Sequence, residues 1–280
     1  MGYAMSAVLS PALSPLVGPK ILLMGEGGNG KTHSIRTLVD AGIKPFVIAL
    51  EPGYEVLGDV PPAKLGWRYI PRPVGDWSKL TEDAIRINTL TYASLSQMPD
   101  PNRGKYTRFV DVLSALSKFK DDRTGEELGA VDTWGTGRAI VIDHLSELCR
   151  AATELTVGGK PVMSQPEYMV TQNNIENLLR QLVTVTRCWV VVIAHLDRIL
   201  DEVGGGTKIM LQSLGKALSP KLPQIFSDVI LANREGKKFT WSTAASGVVL
   251  KTRNLPIEDN MPPSFGPIVA RWQSRGGIIE

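Results

Sequence analysis

Residues Gly25-Glu26-Gly27-Gly28-Asn29-Gly30-Lys31-Thr32 spell the pattern G-x-x-x-x-G-K-[ST]. Such a run is functional only between a buried strand and a helix. The apolar Ile21-Leu22-Leu23-Met24 precedes it, and a helix-like segment, Ser34 to Asp40, follows. Glycines let consecutive backbone N–H groups turn inward as a nest for phosphate oxygens, and a helix N-terminus adds about half a positive charge at the same place. Lys31 then reaches the β- and γ-phosphates and the Thr32 hydroxyl ligates Mg²⁺. By chance the pattern arises in about one chain in a hundred of this length. The residues expected around the nucleotide, ATP as Mg²⁺-ATP, are Gly25, Glu26, Gly27, Gly28, Asn29, Gly30, Lys31, Thr32 and His33.

The rest of the chain is written to suit that unit. Continuous apolar runs alternate with helical patterns, as a parallel sheet with crossover helices requires. The strand candidates are Lys20–Met24, Phe46–Leu50, Trp67–Ile70, Ala139–Ile142, Trp189–Ala194 and Asp228–Ala232. Two later candidates, Lys238–Ser242 and Gly247–Thr252, read as an antiparallel hairpin on the sheet edge. Pro166 suits the first turn of a helix reaching about Arg187. Residues 1–18 read as a flexible arm and 19–280 as one domain, with 74–137 an insertion or lid holding helical pieces Leu80–Leu95 and Tyr106–Phe119. Gly204-Gly205-Gly206, inside Val203–Gln212, reads as a mobile loop or a protruding hairpin.

Composition excludes several classes. The net charge of +3 is too small to argue nucleic acid by itself, although from Lys216 onward nine Lys/Arg face five Asp/Glu. That excess suits either a solvated basic face or a nucleic-acid surface. Cys149 and Cys188 lack C-x-x-C spacing and read as buried free thiols of a reducing, cytoplasmic compartment. Three scattered histidines offer no zinc site. The longest apolar run, Cys188–Ala194, is too short to span a bilayer, and Pro11, Pro15 and Pro19 interrupt the N-terminus where a signal peptide would need an apolar stretch. No membrane partner is expected.

A triphosphate-hydrolysing site needs more than a phosphate cradle. The run Ala139-Ile140-Val141-Ile142 ends in Asp143, the expected carboxylate for Mg²⁺, held through water. Glu51 follows Phe46–Leu50; because carboxyl ends of parallel strands line the ligand crevice, it is the candidate base for the attacking water. A strand-capping carboxylate before Pro52-Gly53 is the plainer role for the same residue. His195 ends the Trp189–Ala194 run, where a polar group can sense the γ-phosphate or serve structure alone. Lys251 and Arg253 can lie harmlessly at a strand edge or reach a neighbouring subunit's triphosphate.

Taken in order, these elements resemble the RecA-type ATPase core over about residues 18–256. The parallels are Gly25–Thr32, Glu51, Asp143, His195 at the polar sensor position, and Lys251-x-Arg253 at the basic pair that acts across subunits in RecA recombinases and DnaB-type helicases. Leu214-Gly215-Lys216-Ala217-Leu218 followed by Asp228-Val229-Ile230-Leu231 fits the same core. Asp122-Arg123-Thr124-Gly125-Glu126-Glu127 and Asp132-Thr133-Trp134-Gly135 look like a family of phage ATP-binding proteins related to the Sak-group single-strand annealing ATPases.

The resemblance implies a RecA-like α/β fold, with a mostly parallel central sheet flanked by helices, an antiparallel edge hairpin and a helical insertion. It also implies a homo-oligomeric Mg²⁺-dependent ATPase acting on single-stranded DNA in phage recombination, annealing or replication. The location would then be the host cytoplasm, and a single-strand-binding protein a candidate partner. DNA would be held by Thr156–Gln165, with Lys160, and Arg198–Lys208, with Lys208. Tyr168 is the one aromatic nearby, which favours backbone contacts over base readout. The alternatives are a non-hydrolysing scaffold or assembly factor, or a helicase-loading or packaging motor subunit. His144 after Asp143, where recombinases carry a small hydroxyl residue, and His rather than Gln at 195 depart from the pattern.

Overall fold

A computed structural model describes residues 16–73, 75–91, 93–94, 105–158, 163–200, 207–212, 218–245 and 247–280. Most of the N-terminal arm, the Gly204–Gly206 run, Lys160 and Leu214-Gly215-Lys216-Ala217 lie outside them, and of Lys208 only the backbone is described. The strands are β1 (Lys20–Met24), β2 (Lys44–Ala49), β3 (Gly66–Tyr69), β4 (Phe119–Lys120), β5 (Glu127–Gly129), β6 (Arg138–Asp143), β7 (Trp189–Ala194), β8 (Leu196–Leu200), β9 (Thr207–Leu211), β10 (Asp228–Glu235) and β11 (Lys238–Ser242). The α-helices are α1 (Lys31–Ser34), α2 (Arg36–Asp40), α3 (Trp77–Asn88), α4 (Arg108–Ser117), α5 (Leu145–Val157), α6 (Gln165–Val185), α7 (Leu222–Ile225) and α8 (Gly266–Gln273).

Seven strands form the central sheet in the order β11-β10-β1-β7-β6-β2-β3. All neighbours are parallel except β10 and β11. This is the expected RecA-like P-loop ATPase fold. Its strands are apolar without alternation because both faces are covered. Leu22, Ile48, Ile140, Ile142, Val190 and Val192 pack beneath α4, α5 and α6, while Ile21, Leu23, Val47, Val141, Val191 and Ile193 meet α2 and α8. Each such side chain contributes about 1.5–3 kcal/mol by leaving water. Helix α6 starts where Pro166 placed it, on a capping box in which Ser164 and Glu167 satisfy each other's backbone N–H groups. Within 74–137, α4 buries Phe109, Val112 and Leu116 in the core, whereas α3 buries no residue.

The edge hairpin forms from different partners than the sequence suggests. β10 runs on to Glu235, turns at Gly236 and pairs with β11 from Leu231↔Ser242 to Glu235↔Lys238. Gly236 has φ +59, the left-handed conformation a tight hairpin turn requires. Residues 247–252 form no strand. Lys251 bridges Val229 instead, and the buried Asp228 carboxylate accepts from the backbone N–H of Arg253 and Asn254 at 2.8 and 2.9 Å. The outer side of β11 meets Met261 through Trp241. β8 and β9 pair antiparallel from Leu196↔Leu211 to Leu200↔Thr207, so residues 207–211 of the Val203–Gln212 segment form a strand.

Candidate nucleotide-hydrolysing site

Register carries the four functional segments to one end of the sheet. Met24 stands beside Ala194, and Ala49 beside Asp143. The loop after Met24, the Leu50-Glu51 step, Asp143 and His195 therefore leave adjoining parallel strands on the same side. β7 lies between β1 and β6, so His195 sits between the phosphate loop and the acidic strand. The loop must come very close to β10: a Cβ on Gly25 would stand 2.5 Å from the Ala232 carbonyl oxygen, and Gly30 has φ +74. Both positions need glycine.

Gly28–Thr32 of the loop, Glu51, Asp143 and His195 line a cavity of about 720 Å³, together with His33, Thr37, Val56, Phe239 and Pro263, while Gly25, Glu26 and Gly27 lie outside its lining. The Lys31 ammonium is buried and donates to Gly25 O at 2.8 Å and Glu26 O at 2.7 Å. Burial lowers its pKa to about 8, opposed by the Asp143 charge. It also faces His195 Nδ1 at 3.4 Å. A protonated lysine only donates, so Nδ1 presents its lone pair. Burial and the Lys31 charge hold His195 neutral, with its pKa at about 4.

The Thr32 hydroxyl donates to Asp143 Oδ2 at 2.7 Å. Burial raises the Asp143 pKa to about 6, against the stabilising Thr32 hydrogen bond. A buried carboxylate and a hydroxyl in contact beside a phosphate nest are the hard oxygen donors Mg²⁺ takes. The donor set therefore fits Mg²⁺: Thr32 and Asp143 would hold it, and bound there it would neutralise phosphate charge.

Glu51 is half-exposed at the cavity mouth, and His144 Nε2 lies 2.7 Å from its Oε1. With the proton on Nε2, His144 donates to Glu51 and leaves Nδ1 as the bare nitrogen, which is buried and has no partner among the described residues. Burial lowers the His144 pKa to about 4. Burial and then the Glu147 charge raise that of Glu51, the direction a general base needs. The sequence treats His144 only as a departure from pattern; the structure makes it the residue that orients Glu51. It also brings two of the three scattered histidines together, with the His144 and His195 rings edge to face at 4.3 Å. Glu51, His144 and His195 each offer a ligand atom within 4.8 Å of the others. The Lys31 ammonium beside His195 opposes a further cation there, so we read the trio as a hydrogen-bonding network.

Behind Glu51 stands a charged network that sequence reasoning missed. Arg108, 2 % exposed, donates to the Leu50 carbonyl, to Ile70 O at 3.1 Å and to Glu147 Oε2 at 2.7 Å. Arg72 Nε donates to the same Glu147 oxygen at 2.9 Å, and its Nη2 to Oε1. Burial alone would raise the Glu147 pKa, but the two arginines hold it at about 2. The ends of β2 and β3 are thereby clamped where Glu51 leaves the sheet.

Lys251 and Arg253 do not join this site. They lie toward the other end of β10, beside Val229 and Asp228. The Lys251 ammonium donates to Phe226 O at 2.8 Å, and Arg253 is exposed.

A family model described as an AAA domain matches residues 18–255. The chain belongs to this AAA-domain family. The matched range runs from the residues before β1 to the turn held by Asp228, so the family's domain contains the whole nucleotide site. No curated protein matches the sequence. Among solved structures, the AAA domain is similar to an ATPase of the type III secretion system of pathogenic bacteria (12 % identity, 78 % of this chain and 53 % of that one, TM-score 0.38). It is similar also to the EscN ATPase of enteropathogenic E. coli (12 %, 78 % and 43 %, TM-score 0.37) and to the flagellar accessory protein FlaH of Methanocaldococcus jannaschii (10 %, 81 % and 77 %, TM-score 0.28). The chain spans about half the length of the two secretion ATPases. Among the described residues, no helix is long and apolar enough to cross a membrane.

Proposed function

We propose that this AAA-domain protein is a Mg²⁺-dependent ATPase in which Glu51, held by His144, takes the proton of the attacking water. The observation that carries the reading is the 2.7 Å contact between Glu51 and His144 at the mouth of the cavity that holds Lys31, Thr32 and Asp143. Lys31 binds the β- and γ-phosphates, the nest supplies backbone donors, and His195 reports the γ-phosphate. Arg253, exposed and remote from its own phosphate loop, serves the site of a neighbouring copy, so the working form is a homo-oligomer.

Binding of ATP raises affinity for single-stranded DNA, in the manner of the phage annealing ATPases that the sequence resembles, with a single-strand-binding protein as the candidate partner. Support comes from the base of the β8–β9 hairpin. Gln212 N donates to His195 O at 2.8 Å, and Ser146 Oγ donates to Gln212 O at 2.9 Å. A change at His195 therefore passes directly to the β8–β9 pair through Gln212. Fluorescence anisotropy of a labelled oligonucleotide, with and without ATP across a salt series, tests this. We expect affinity to rise with ATP and to fall as salt increases. Salt-insensitive or absent binding under both conditions overturns the DNA reading and favours an ATP-binding scaffold.

A further inference from the structure

The β10–β11 hairpin does more than close the sheet edge. β1 stops at Met24, opposite Leu231, but β10 continues to Glu235. Residues 232–235 therefore run alongside the phosphate loop itself. They are fastened to it by Asn29 Nδ2, which donates to Ala232 O at 2.9 Å, and by the close approach of Gly25 to that carbonyl. Side chains alternate along a strand, so Arg234 projects on the same side as Ala232, one pleat further along the loop.

Arg234 is aimed by its surroundings. Its Nη1 lies 3.8 Å from where a Cβ on Gly28 would stand. Its Nε donates to Gly236 O at 2.8 Å, and its guanidinium carbon sits 5.3 Å from the Phe239 ring centroid. Phe239 presses in turn on Gly30, where a Cβ would meet the ring at 3.0 Å, and lines the phosphate cavity. Among the described residues, neither Nη has a hydrogen-bond acceptor. Arg234 is exposed on the hairpin beside the cavity that Gly28 and Phe239 line, and its two planar Nη donors stand next to a loop built to receive phosphate, a group that arginine binds through paired donors.

We infer that Arg234 is a phosphate-binding catalytic residue of its own chain's site, a cis arginine that meets the terminal phosphates of a nucleoside triphosphate beside Gly28. This rests on the ATPase reading above. In the step it assists, the water oxygen bonds to the γ-phosphorus and the bond to the bridging oxygen breaks, its electron pair leaving on ADP. The water proton passes to Glu51. Arg234 exchanges nothing and stabilises the charge that spreads over the phosphate oxygens.

The test compares Arg234→Gln, Arg234→Lys and Phe239→Leu with the unaltered protein, in steady-state ATP hydrolysis and in equilibrium binding of ATP and ADP. We expect Arg234→Gln to lower kcat by about 100-fold or more, toward the range of a lost arginine finger, with a smaller change in KM. Arg234→Lys should recover part of that loss, and Phe239→Leu should lose much less than Arg234→Gln. Because the residue acts in cis, mixing Arg234→Gln with Lys31→Ala protein should restore nothing. Turnover of Arg234→Gln within about 3-fold of the unaltered protein, or equal losses in Arg234→Gln, Arg234→Lys and Phe239→Leu, would overturn the assignment while leaving the ATPase reading intact.

If the unaltered protein does not hydrolyse ATP, the ATPase reading fails and the binding arm decides. Loss of preference for ATP over ADP in Arg234→Gln then keeps Arg234 as a γ-phosphate ligand. An unchanged preference removes it.

Discussion

Replacing Glu147 by Gln probes the clamp behind the site. The change keeps the side chain's shape, removes the charge and sets an amide N–H₂ group against an arginine donor. Arg108, 2 % exposed, is left with its carbonyl partners but no counter-charge. Two estimates of the cost agree. The gap between the ordinary carboxyl value of 4.5 and about 2, at about 1.4 kcal/mol per pH unit, gives about 3 kcal/mol. Screening through the 43 % exposed Arg72 side chain trims it to about 2–3 kcal/mol. Breaking one half of a buried ion pair costs about 3–5 kcal/mol.

We therefore expect Glu147→Gln to lose about 3 kcal/mol in urea unfolding at pH 7. The folded pKa lies below the unfolded one, so the stabilisation is complete above about pH 4.5 and is lost as pH falls toward about 2. The difference between the two proteins should shrink to roughly half near pH 3. A loss below about 1 kcal/mol, or one of equal size at pH 7 and pH 3, would refute the argument that this ion pair holds the ends of β2 and β3.

Two further outcomes follow from the site. Asp143 carries a pKa raised to about 6, so its buried charge costs stability above that value, and the cost disappears as pH falls from about 6 toward 3.8. Asp143→Asn should therefore stabilise the nucleotide-free protein by about 1–2 kcal/mol at pH 7 while abolishing Mg²⁺-dependent turnover; calorimetric melting at or below the unaltered protein's temperature would contradict this. Lys31→Ala and Arg253→Ala should each be inactive alone and recover hydrolysis when mixed, because an oligomer then contains sites with an intact loop facing an intact Arg253; no recovery at any mixing ratio would argue against a shared site.

What was legible in the sequence were the features written in consecutive residues. Gly25–Thr32 and the apolar run ending at Asp143 each declare themselves within about eight positions. The rule that parallel strands end at the ligand crevice then puts Glu51 and His195 at the cavity they line. The strands β1 and β7 lie where the apolar runs put them because burial on both faces leaves no alternation to misread.

The rest depends on pairings between distant residues. His144 orients Glu51, and Arg108 and Arg72 meet on Glu147, through contacts that no local pattern announces. The edge hairpin was misplaced because Asn233, Arg234 and Glu235 are polar and look like the end of a strand. On an edge beyond β1, however, polar residues extend β10 without burial cost, and Gly236 supplies the turn. Arg234 comes beside the phosphate loop on that same extension of β10. Lys251 and Arg253 look like a strand pair in sequence, yet the Val229 bridge and the Asp228 carboxylate hold them at the far end of β10.

The central claim is that Glu51 acts on water at the Lys31–Thr32–Asp143 site. Its most direct test is Glu51→Gln, with ATP affinity and single-turnover hydrolysis measured on the same preparation. We expect affinity to stay within about 3-fold while the hydrolysis rate falls by two or more orders of magnitude, the scale of a lost positioned base. Unchanged turnover with intact binding would contradict the account.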